Sequence, residues 1–167
     1  MIRVDTGART LTIGDRPFGC VIGRTGACAA ADKREGDGRT PIGCWPVRAL
    51  LIRRDRVTPP AGLTLPWRGI AADDGWSDDV RDPAYNRPVR HPHPYSAEHL
   101  WRTDGLYDLI VVLGHNDAPP VPGAGSAIFL HVRDGDRPTE GCVAIAREDL
   151  LAILPMMTAG MPVRIDA

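Results

Sequence analysis

The sequence predicts a mainly β domain of the β-rich α+β class, a β-sandwich or curled sheet carrying one or two short helices. Three observations lead there. The 167 residues are the length of about one domain and suffice to bury roughly two-thirds of the unfolded surface. Sixteen prolines and eighteen glycines interrupt the chain too often for long helices. The apolar runs are short, and only one repeats with a helical period.

Taken in order, "TLTI" and "GCVIG" read as the first strands, and a turn-rich stretch leads to a third, "WPVRALLIRRD". There Val47, Ala49 and Leu51 alternate only partly with Arg48, Leu50 and Ile52, the pattern of a strand buried on both faces. From about 58 to 100 the chain is dense in Pro, Asp, Gly and Arg without a sustained apolar period. This predicts a long irregular loop insertion, within a core of about 10–154. "LYDLIVVLGHN" reads as a central strand and "AIFLHV" as the next, with the breaker "DAPPVPGAGS" between them. "REDLLAILPMM" closes the chain as a short helix: acid in its first turn, a stripe of Leu150, Leu151 and Leu154, and Pro155 at its end. No repeat or linker divides the chain, so residues 1–167 are expected to form one domain.

A formal charge of -1 supplies no basic footprint, which argues against nucleic acid as a partner. No window approaches the length of an apolar span, so stable membrane insertion is not expected, and "MIRVDTGARTLTIGDRP" lacks the pattern of a signal peptide. The four cysteines form no C-x-x-C pair, and Cys20 and Cys28 read as buried thiols. His91 and His93 in "HPHP" could join His115 in a three-imidazole metal site. No paired carboxylate stands beside them, so the reading is a rigid proline segment, with no metal and no cofactor.

The chemistry concentrates in "AIFLHVRDGDRPTEGCVAI". Alternation puts Ile128, Leu130 and Val132 on one face and Ala127, Phe129 and His131 on the other. "RDGDRP" is a turn by composition, so the chain is expected to reverse and bring Cys142 within hydrogen-bond reach of His131. An imidazole that takes the thiol proton turns a weak nucleophile into a strong one. Gly141 permits a tight turn on which backbone N–H groups face an oxyanion. By residue type alone the commoner arrangement is a buried thiol beside a core imidazole.

The segment "GSAIFLHVRDGDRPTEGCVAI" resembles the catalytic stretch of the L,D-transpeptidase family, the YkuD-type domain. "KREGDGRTPIG", "GWSDDVRDPAYNRPV" and "GHNDAPPVPGAGS" extend the similarity over roughly residues 10–154. The resemblance implies that Cys142 is the acylated nucleophile, His131 its base, and Gly141 with Cys142 the oxyanion donors. Thr139 matches the family's Ser or Thr, whereas Glu140 replaces its usual His and Ala144 an Arg associated with a substrate carboxylate. The missing cation is expected from a loop: Arg81 and Arg87 first, with Arg133 and Arg137 also near in sequence. Trp76, Tyr85 and Asn86 are expected as a cleft wall, with His115 and Asn116 as further substrate-side residues.

The implied function is cross-linking of peptidoglycan stem peptides, donor and acceptor, through a cysteine thioester, with carboxypeptidase or D-amino acid exchange as variants. Carbapenem-type inhibitors would acylate the same thiol. The implied location is the periplasm or cell envelope; the chain carries no leader pattern, which leaves the cytoplasm open. A non-catalytic peptidoglycan-binding module and a cysteine peptidase or amidase are the other readings.

Overall fold

The computed structural model describes residues 1–167. The N-terminal part forms β1 (Ile2–Asp5), β2 (Thr10–Ile13), β3 (Arg16–Val21), β4 (Ala27–Ala29) and the long β5 (Thr40–Ile52). The middle carries β6 (Trp67–Gly69), β7 (Asp74–Ser77), β8 (Pro88–Arg90) and β9 (Ala97–His99). Then come β10 (Leu109–Leu113), β11 (Phe129–Val132), β12 (Val143–Ile145), α1 (Arg147–Ile153) and β13 (Pro162–Asp166).

The main sheet runs β10-β11-β12-β3-β2-β1-β13-β5, and β5 pairs back onto β10, so the sheet curls until its pairings close. β5 serves both ends because it is long and irregular. Its first half pairs with β13 and its second with β10, with a shift of register between Val112 and Leu113. A bulge of this kind bends a strand and re-aims its side chains. Val47 therefore shares the interior with Leu50 and Ile52, while Leu51 faces the opposite cluster.

Two apolar clusters flank the β10–β11 pair. Ile128, Leu130 and Val132 enter the larger one, with Leu150, Ile153 and Leu154 of the helical segment packed on it. Phe129, Ala127, Leu51, Ile110, Tyr107 and Cys142 form the smaller one on the other face. The alternation expected for "AIFLHV" is thus present. Phe129 is fully buried, which is worth roughly 2–3 kcal/mol.

Three features depart from the sequence reading. First, β1 and β13 were not expected as strands, and the chain does not close at the helix; the two pair in parallel along the curled sheet. Both do alternate buried and exposed positions, over four and five residues at the two ends of the chain, and each is completed by pairing with the other terminus. Second, the 58–100 insertion contains a separate sheet in the order β8-β7-β9. It is organised by polar contacts to buried groups, the exposed Arg68 on buried Asp74 and Ser77 on Asp82, so no apolar period announces it. Third, β12 runs parallel to β11 and does not fold back against it: His131 stands opposite Ala144 and Leu130 opposite Val143. The intervening loop crosses over, tied down where Thr139 bridges Gly23.

Candidate active site

A cleft of about 430 Å³ opens where the end of β11, the loop before β12 and the middle insertion meet. Cys142, His131, Thr139, Glu140 and Ala144 line it on one side, and Glu98, Tyr107, Arg102 and Lys33 lie around them. The parallel register delivers the two central residues. His131 is the third residue of β11, and Cys142 is the last residue before β12.

Both groups are buried and neutral at rest. The Cys142 thiol donates to Ala127 O at 3.1 Å, and its sulfur accepts the Phe129 N–H at 3.3 Å. Burial pushes the thiol up to about 12, and the carboxylate of Glu98 pushes in the same direction. Burial also brings His131 down to about 4. Its Nδ1 lies 2.8 Å from Val132 O. A carbonyl oxygen only accepts, so Nδ1 carries the proton and Nε2 keeps a free lone pair. The Tyr107 ring meets the imidazole edge-on at 5.2 Å. The thiol–imidazole hydrogen bond expected from the spacing is replaced by the bond to Ala127 O.

Gly141 has a φ of +138°, and a Cβ there would lie 2.8 Å from Arg39 O, so the position requires glycine. Its N–H donates to Thr139 Oγ1 at 3.1 Å, and the Thr139 hydroxyl donates to Cys142 O at 2.6 Å. Thr139 therefore shapes the Gly141–Cys142 turn. With the Gly141 N–H occupied, the Cys142 N–H is the donor this turn offers to an oxyanion. Glu140 is exposed and pairs with Arg24 at 2.8 Å.

The other sequence candidates fall elsewhere. Arg81 is exposed and bound to Asp79. Arg87 donates to Asp117 O and lines, with Trp76, a second groove of about 290 Å³ beside Phe129. Tyr85 is buried, and its hydroxyl donates to Glu35. His115 packs against Trp45 and donates from Nε2 to Ala124 O; Asn116 bonds Val121 and Gly125. These two fold the loop that leads to Ser126 and Ala127. Asn86 organises it from behind: Oδ1 accepts from Ala127 N and Trp76 Nε1, and Nδ2 donates to His115 O and Asn116 O. Of the four arginines considered for the missing cation, Arg133 and Arg137 reach the cleft. His91 stacks on His99, while His93 bonds Asp82, so the "HPHP" imidazoles and His115 do not converge.

Glu98, Tyr107, Arg102, Lys33 and Ser126 are cleft residues that the sequence reading missed. The resemblance touches two of them, Lys33 at the start of "KREGDGRTPIG" and Ser126 in "GSAIFLHV", and assigns neither a role.

The model of the YkuD family, the L,D-transpeptidase catalytic domain, matches residues 1–165. The chain belongs to this family. Among solved structures, L,D-transpeptidase 3 of Mycobacterium tuberculosis is 15% identical, with 99% of this chain and 60% of that one covered and a TM-score of 0.50. The same protein with a faropenem-derived adduct is 14% identical, with coverages of 99% and 59% and a TM-score of 0.48. An L,D-transpeptidase from Mycobacterium smegmatis is 14% identical, with coverages of 99% and 58% and a TM-score of 0.45. The YkuD-type chain thus spans about three-fifths of the length of these proteins. No curated protein matches it.

Proposed function

We propose that this YkuD domain is a peptidoglycan L,D-transpeptidase working through a thioester on Cys142. The observation that carries the reading is the opening of Cys142 and His131 onto one cleft, with the imidazole held in the tautomer that leaves Nε2 able to accept a proton. Because both groups rest neutral, proton transfer accompanies substrate entry. The thiol leaves Ala127 O, its proton passes to His131 Nε2, and the sulfur attacks the carbonyl on the L-centre of the donor's diamino acid. The Cys142 N–H holds the oxyanion. The C–N bond to the terminal D-amino acid breaks, its nitrogen takes the proton from His131, and a thioester remains. An acceptor amine then attacks the thioester carbon and gives a proton to His131. The C–S bond breaks, and the proton returns to sulfur.

Water in place of the amine makes the reaction a carboxypeptidase step, and a free D-amino acid makes it an exchange. The substrate places the work in the periplasm or cell envelope. Incubation with purified disaccharide tetrapeptides, followed by mass analysis, should yield dimers with the wild type and none with Cys142→Ala. One observation favours a second reading: the thiol bonds Ala127 O and not His131, as a structural cysteine would. Incubation with a carbapenem separates the two. A stoichiometric mass increase on Cys142 supports the enzyme, and an unmodified protein supports the non-catalytic module.

A further inference from the structure

Three carboxylates of the cleft lie close enough to act on one another. Glu98, Asp78 and Glu35 all line the cavity that holds Cys142. None of the three makes an ion pair, although the chain forms fourteen elsewhere. Glu98 is met by the Tyr107 hydroxyl at 2.5 Å and Glu35 by the Tyr85 hydroxyl, while Asp78 Oδ1 is buried with no partner. Two cations of the same lining are engaged, Lys33 by Asp37 and Arg102 by Asp104, while Arg133 and Arg137 enter the cavity from the loop after β11 without pairing to any of the three carboxylates. A half-buried group of carboxylates without a counter-ion is costly: burial raises the Glu98 carboxyl, and a bound cation would hold it ionised. The three do not converge as metal ligands, which suits an organic cation. An independent feature also points to a ligand: Ser126, only 9% exposed, lines the same cavity, and its buried Oγ has no partner.

We propose that Glu98, backed by Asp78 and Glu35, seats a primary ammonium group of the substrate beside Cys142. The assignment rests on the transpeptidase reading, in which the amines of a diamino acid enter this cleft. Ser126 Oγ completes the seat as a hydrogen-bond acceptor for the same group. The arrangement also couples binding to reactivity. Glu98 is the charged group that most opposes ionisation of Cys142, so a bound ammonium relieves that opposition when substrate is present.

The test needs no peptidoglycan. Cys142 is modified with methyl methanethiosulfonate, which is neutral, or its aminoethyl analogue, which carries a primary ammonium, and the Cys142 peptide is followed by mass spectrometry. The exposed thiol of Cys44 in the same chain corrects for the intrinsic reactivity of each reagent. The normalised preference of Cys142 for the ammonium reagent should be about tenfold or more in the wild type, and Glu98→Gln should cut it to below about threefold. In the wild type alone, excess 1,5-diaminopentane should suppress modification by the ammonium reagent more than modification by the neutral one. A wild-type ratio near one, or a preference unchanged in Glu98→Gln, would overturn the assignment. Failure here leaves dimer formation from disaccharide tetrapeptides intact, so it is distinguishable from failure of the transpeptidase reading.

Discussion

The Cys142 thiol donates to Ala127 O at 3.1 Å, and His131, on the same cleft, spends its Nδ1–H on Val132 O. The thiol and the imidazole are therefore each engaged by a backbone carbonyl and not by one another in the resting molecule, each in its neutral form.

This has a consequence for pH. Burial places the thiol at about 12, so without substrate the thiolate fraction is small at neutral pH and rises tenfold per pH step. Alkylation of Cys142 by iodoacetamide should climb steadily from pH 7 to 10. A plateau near pH 7 would mean that an imidazolium–thiolate pair exists at rest.

His131 makes stability depend on pH in the acid range. Its folded value of about 4 lies below its ordinary 6.5, so the unfolded chain binds the proton first as pH falls. The contribution is whole above 6.5 and is lost down to about 4, by up to about 3 kcal/mol. Urea titrations at pH 7 and 4.5 should show this loss in the wild type and a smaller one in His131→Gln. The same variant should slow acylation by a carbapenem about a hundredfold or more.

Cys142→Ala should abolish dimer formation. Since the thiol packs with Phe129, Leu51 and Tyr107, the variant should also lose about 1 kcal/mol of stability, measured by chemical denaturation.

Asn86 satisfies four groups around the loop that carries Ala127, and it is 4% exposed. Asn86→Ala leaves them unpaired and should cost about 2–4 kcal/mol. Activity should fall together with thermal stability, because Ala127 O holds the thiol.

The cation that replaces the family arginine at Ala144 is expected from the loop after β11. Arg133→Ala or Arg137→Ala should lower use of a carboxylate donor about tenfold relative to its amidated analogue. Arg81→Ala, which removes only an exposed pair with Asp79, should leave that preference within about twofold. Kinetics with the two donors decide it. A preference lost in Arg81→Ala alone would return the recognition site to the middle insertion.

Local pattern was enough for part of this protein. Period-two alternation in "AIFLHV" assigned Leu130 to the main core and Phe129 and His131 to the other face, because a strand's side chains must alternate whatever surrounds it. The leucines before Pro155 marked α1 for the same kind of reason, although the buried set is Leu150, Ile153 and Leu154. The Gly-Cys segment with its upstream His carried the family, because a turn that requires glycine beside a thiol leaves a recognisable run of residues.

What tertiary structure decided was everything that depends on residues far apart in the chain. β1 pairs with β13 from the opposite terminus, and β12 lies parallel to β11 because the loop between them is anchored on Gly23. Glu98 meets Tyr107 and the cleft of Cys142 only because the insertion folds over the small cluster, and its strands are held by polar pairs that produce no periodic signal. The sequence by itself determined which residues alternate and which turn. The surroundings that hold the thiol protonated, select the tautomer of His131 and face both with carboxylates come from packing, since burial and charge at a point sum over every segment that reaches it.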